Sequence, residues 1–99
     1  MYLITGNFIV KADKREELLQ LAQSMLAPSR AEEGCNSYKL YEDSSKKNSF
    51  LFFEEWQAQE AIEQHFQTPH FQEFMQKFSE MVEGKPTIKI HEIKATKQL

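Results

Sequence analysis

The sequence predicts an α+β fold: one antiparallel sheet with helices on one face. Three observations predict it. Strand-like and helix-like stretches alternate in the order β-α-β-β-α-(α)-β. The two central strands are separated only by the polar residues Asp43 to Asn48, so they pair through a short turn. The length, 99 residues, suits one small domain and leaves no room for a second.

Residues 2–10 are rich in Tyr, Ile, Thr, Phe and Val and read as the first strand. Asp13 and Glu16 have capping-box spacing. Leu18, Leu21, Ala22, Met25 and Leu26 follow at helical spacing and carry the helix to about Glu33. Pro28 should kink it or end its regular part early, and Gly34 suits a left-handed cap. Residues 35–42 form the second strand and Ser49 to Trp56 the third. A helix runs from about Ala58 to Phe66. Thr68 and Pro69 then restart the chain as N-cap and first helical residue. Phe71, Phe74, Met75, Phe78, Met81 and Val82 make the clearest amphipathic stripe, ended by Gly84 and Pro86. Thr87 to Lys94 is the last strand, where a change of parity after Ile90 suggests a bulge, and residues 95–99 should fray. This order is the split βαβ, ferredoxin-like arrangement.

Composition narrows the function. Net charge is −3 and the twelve lysines and arginines are scattered, which disfavours a nucleic-acid partner. The longest apolar runs, Phe8–Val10 and Phe50–Phe53, fall far short of a membrane span. The first residues carry no basic leader or small-residue cleavage site, and the single Cys35 fits a reducing compartment, so a cytoplasmic protein is expected. Cys35 reads as a small buried hydrophobe.

Twelve residues are aromatic, eight of them between Phe50 and Phe78, a surplus for so thin a core. On the third strand both parities open apolar. Phe53 is assigned to the helix side, with Phe71, Phe74 and Phe78. Phe50, Phe52 and Trp56 are then left on the open face, where a second copy of the chain or a ligand must cover them. A homodimer is expected.

Few residues could do chemistry. His65 ends one helix, where the negative dipole end favours its protonated form. His70 begins the next, where the positive end disfavours it. They could serve as base and neutral donor, or simply cap helix ends. With His91 on a distant strand, their spacing does not read as a metal site. Asn7, polar in an apolar strand, is a candidate ligand donor or a cross-strand contact. Glu54 beside the rings is a candidate base with a raised pKa, or one half of a salt bridge. The indole N–H of Trp56 needs a partner if buried. The pairs Glu32–Glu33, Lys46–Lys47 and Glu54–Glu55 read first as solvated faces.

Glu32–Cys35, Tyr38–Asp43, Phe50 through Glu54-Glu55-Trp56, and His65-Phe66-Gln67-Thr68-Pro69-His70-Phe71 together resemble the antibiotic biosynthesis monooxygenase family, most closely its small quinol monooxygenase-like members. The resemblance implies a dimeric α+β barrel with open sheet faces packed together and a ligand cavity between sheet and helices in each subunit. It implies oxidation of a small phenolic or quinol substrate by O2 without metal, flavin or other cofactor. Haem degraders in the family carry an Asn matching Asn7, but Phe74 stands where their haem-ligating His would be, a departure from the haem-binding pattern. On this reading His65 or His70 is the base, with Asn7 and Glu54 completing the catalytic set. Trp56, Phe52, Phe66 and Tyr38 contact a small aromatic or quinone-like molecule. An isomerase of a small hydroxyketone, using the same His and Glu54, and a non-catalytic ligand-binding or stress-response barrel are the competing readings.

Overall fold

Alternating burial places the first strand. In β1 (Tyr2–Val10), Ile4, Phe8 and Val10 point into the core while Leu3, Thr5 and Asn7 point away. A computed structural model describes all 99 residues. It continues with α1 (Arg15–Arg30), β2 (Cys35–Glu42), β3 (Ser49–Trp56), α2 (Gln59–Gln67), α3 (Pro69–Phe78) and β4 (Val82–Glu92). The sheet order is β2-β3-β1-β4 with every neighbour antiparallel, which is the expected ferredoxin-like α+β arrangement. No helix is long and apolar enough to cross a membrane.

The parity of β3 is the reverse of the expected one. Phe50, Phe52 and Trp56 face the helices at 3%, 6% and 0% exposure, while Leu51, Phe53 and Glu55 lie half-buried on the open face. Hydropathy could not decide between two apolar parities; cross-strand pairing did. Phe50 stands opposite Phe8, and Phe52 opposite Gly6, so both inherit the core side of β1. Phe8 stacks on Phe50 with centroids 5.7 Å apart and meets Phe78 edge-on at 4.9 Å. The aromatic surplus is thus mostly internal to one chain.

Helix boundaries also differ in part. No side chain caps α1: Asp13 lies in a single 3-10 turn, Ala12–Lys14, and the capping box with Glu16 does not form. Pro28 sits inside α1 without breaking it, and the helix stops at Arg30 rather than Glu33. Thr68 and Pro69 behave as expected, the Thr68 hydroxyl accepting the Phe71 N–H at 3.3 Å. α3 ends at Phe78, and β4 begins at Val82, well before Thr87. The chain irregularity lies not after Ile90 but at Gly84–Pro86, three residues set opposite the single Phe8. Ile88 and Ile90, opposite Gly6 and Ile4, run past the helices and are 54% and 51% exposed.

Gly34 ties β2 to α2. Its φ is +85°, and a Cβ there would lie 2.7 Å from the Ala61 Cβ. Its carbonyl accepts the Gln57 N–H at 2.8 Å. Gly34→Ala is therefore expected to destabilise the fold by about 1–3 kcal/mol in chemical denaturation, through both a left-handed backbone and a clash. An unchanged midpoint would show that the α2 start can yield.

Candidate active site

The helix face of the sheet and the aromatic side of α2 and α3 do not close completely on each other. Between them lies a cavity of about 100 Å³. Phe52, Tyr38 and Phe8 form its floor, and Phe66, Phe71 and Phe74 its roof. Gly6 opens the floor, since a side chain there would fill space beside Phe52 and Ile88. Met75, Pro86 and Ile88, only partly covered, stand at the rim.

One carboxyl reaches this apolar space. Glu54 lines the cavity at 7% exposure, and its Oε1 accepts the Trp56 indole N–H at 3.0 Å. Burial lifts its pKa to about 7; the Trp56 N–H works against that rise and the nearby Glu32 adds to it. Tyr38 also lines the cavity; burial together with Glu54 raises its hydroxyl pKa against the opposing pull of Ser29, so it stays protonated.

Behind Glu54 lies His65, 1% exposed. Its Nδ1–H donates to Glu32 Oε2 at 2.7 Å, and the same oxygen accepts from His70 Nε2–H at 2.7 Å. A carboxylate only accepts, so both nitrogens carry hydrogen. His65 Nε2 is then a bare acceptor, buried without a partner, 4.0 Å from Glu54 Oε1. Burial holds the His65 pKa down despite Glu32. The helix-dipole expectation of a more basic His65 therefore fails, because desolvation outweighs the dipole. The Glu32–His65–His70 group has donor atoms within 4.8 Å of one another and could converge on a cation, although the sequence spacing had not suggested one.

The sequence-derived candidates therefore divide. Glu54, Tyr38, Phe52 and Phe66 line the cavity. Trp56 lies outside the lining, with no exposure and its N–H committed to Glu54, so it supports the carboxyl. His65 and His70 stand behind the lining. Asn7 is exposed on the open sheet face, one position past Gly6, and strand alternation turns it away from the cavity. Glu32 belongs to a charge pair whose pattern suggests a solvated face, yet its side chain is only 13% exposed. The turn at Gly34 folds it back onto the α2–α3 joint, a consequence of backbone geometry that charge pattern alone does not carry.

Comparison with known proteins adds four findings. A family model described as antibiotic biosynthesis monooxygenase matches residues 1–77. The Synechocystis protein sll1783, described as uncharacterized, is 46% identical over 98% of this chain, which spans 66% of that relative's length. The Bacillus subtilis protein named "Putative monooxygenase YcnE" is 40% identical over 83% of this chain and 86% of its own length. The solved structure of Rv0793 from Mycobacterium tuberculosis aligns with a TM-score of 0.92 at 25% identity, covering 98% of both chains.

A carboxyl whose pKa rises on folding favours the fold when protonated, so its contribution falls as pH climbs from the unfolded value through about 7. Glu54→Gln keeps an acceptor for Trp56 and removes the titration. It should raise stability at pH 8 by roughly 2–3 kcal/mol and change it little at pH 4. Denaturation curves at the two pH values check this, and an equal effect at both would contradict a buried, titrating Glu54.

Proposed function

The chain belongs to the antibiotic biosynthesis monooxygenase family, and from that premise we propose that it oxidises a small, single-ring phenol or quinol with O2 in the cavity beneath α2 and α3. The family and its relatives support a monooxygenase-like role in general. The observation that carries the finer reading is Glu54: a single carboxyl poised near neutrality in a cavity otherwise lined mainly by rings.

At about 100 Å³ the cavity is smaller than the roughly 150 Å³ that holds benzene, so a single ring would have to extend into its open rim beside Met75, Pro86 and Ile88. Phe52 and Phe66 offer faces for the ring. Glu54 accepts the hydroxyl proton. The electron-rich anion then passes an electron to O2. Recombination forms a hydroperoxide on the ring, which loses water to leave a new carbonyl. A hydroquinone plus O2 thus gives a hydroxyquinone plus water, with electrons supplied by the substrate alone and no cofactor required. Exclusion of bulk water protects the anion and the reduced oxygen. His65 serves as a group behind the base, in place of the direct role first expected of it.

The proposal includes a homodimer, carried now by other residues than first expected. Leu3, Ile9, Leu51 and Phe53 form an apolar strip across the open face of β1 and β3. A second copy packing on this strip would build the two-sheet barrel.

Two measurements test these statements. Oxygen consumption with a panel of hydroquinones should show kcat/KM rising through about pH 7 to a plateau, because the base must be ionised. Glu54→Gln should lower kcat by roughly a hundredfold or more. A flat profile, or full turnover by the variant, would remove Glu54 as the base. Sedimentation should give a dimer at micromolar concentration and a folded monomer for Phe53→Glu. A monomeric wild-type protein would refute the barrel.

A further inference from the structure

We propose that the groove between the C-terminal half of α3 and the start of β4 is a subsite for an aliphatic chain, so that the substrates of this protein are phenols or quinols with an apolar tail on the ring. The proposal rests on the reading of the cavity as the seat of that ring.

The groove begins where the cavity ends. Met75, Phe78, Pro86 and Ile88 line both. It encloses about 390 Å³, against about 100 Å³ for the cavity. A ring whose hydroxyl meets Glu54 fills the cavity and emerges beside the shared residues. A chain meta or para to that hydroxyl points outward and continues into the groove.

The walls suit such a chain. Gly84 leaves one stretch open: its φ is +65°, and a Cβ there would meet nothing within 4 Å. The α3 wall advances about 6 Å from Met75 to Ser79. The β4 wall runs back up to about 13 Å from Ile88 to Gly84, room for several methylenes. No acidic side chain lines the groove, and its one charged residue, Lys85, presents an apolar stem while its ammonium stays in water. Met75 and Ile88 are 37% and 54% exposed, two of the few large apolar side chains that the fold leaves in water. Apolar surface of this kind, continuous with a cavity, marks a ligand surface.

Two occupants from the protein itself fit less well. The C-terminal segment leaves β4 at Glu92, opposite Tyr2, whereas the groove lies at the other end of the strand, near the pairing of Glu83 with Ile9. A second copy packed on Leu51 and Phe53 covers the opposite face of the sheet.

The experiment compares methyl-, propyl- and hexylhydroquinone by oxygen consumption. In the wild-type protein kcat/KM should rise about two- to fourfold per added carbon, through a falling KM at nearly constant kcat. Ser79→Glu sets a carboxylate at the exposed edge of the groove and should collapse the hexyl-to-methyl ratio of kcat/KM toward one. Gly84→Asn, which tolerates the positive φ, should lower the same ratio by filling the open stretch, and it decides the matter if Ser79→Glu does not fold. Calorimetry with 1-methoxy-4-methylbenzene and 1-methoxy-4-hexylbenzene, rings that cannot be oxidised by this route, should show the hexyl compound binding more tightly to the wild-type protein and losing that advantage in Ser79→Glu. A wild-type ratio near one, a ratio that survives in the variants, or equal binding of the two inert rings would overturn the subsite. So would a Ser79→Glu protein that sediments as a monomer beside a dimeric wild type, since the groove would then belong to a second copy. Hydroquinone turnover without any dependence on chain length removes the subsite and leaves the proposed reaction standing. Tighter binding of the inert hexyl ring without turnover of any hydroquinone refutes the reaction and keeps the subsite.

Discussion

The Glu32 carboxylate is the point on which the rest of the site depends. It lies beyond α1, in the turn that Gly34 completes, and holds two imidazoles from two different helices on one oxygen. Charge-assisted hydrogen bonds of this kind are short and strong. They fix the angle at which α2 meets α3, and so the roof that Phe66, Phe71 and Phe74 provide. They also fix which nitrogen of His65 carries hydrogen, and therefore what Glu54 meets behind it. A single acceptor thus sets both a packing angle and a protonation pattern.

Buried acids usually weaken a fold, and Glu54 is surrounded by groups that keep this tendency in check. The Trp56 indole N–H gives it one partner, while the rings of Phe52 and Tyr38 deny it water. The outcome is a group balanced between its two forms near neutral pH. Such balance is characteristic of functional sites, where the environment is arranged for the reaction at some expense of stability. The neighbouring Cys35 is a contrast. It too is partly buried, and its thiol merely donates to the Ser37 carbonyl at 3.7 Å, so it stays inert.

Much of the architecture was legible in the sequence, and the reasons differ by element. The order of strands and helices followed from hydropathy period, and Thr68-Pro69 marked the α3 start because cap chemistry is local. Which face of β3 is buried was not legible: Phe50, Phe52, Leu51 and Phe53 are all apolar, and the choice came from pairing with β1, a contact between distant residues. The start of β4 was hidden because Gly84 and Pro86 read as an ending, whereas on an outer strand they are tolerated. Glu54, Tyr38, Phe52 and Phe66 were recognisable by residue type and motif. Glu32 was hidden among surface-like charges, and Asn7 was misleading because strand parity, not polarity, decides which side a residue serves.

The irregular stretch of β4 has a consequence for how sheets of this protein can meet. Gly84 takes φ +65°, Pro86 has no N–H to offer, and Lys85 between them and Lys89 beyond add charge to the outermost strand. The row of backbone donors that would template another strand is interrupted and charged. Lateral growth of the sheet into a continuous ribbon, the first step toward fibrils, is thereby blocked. The β4 rim of the sheet is thus closed to a further strand.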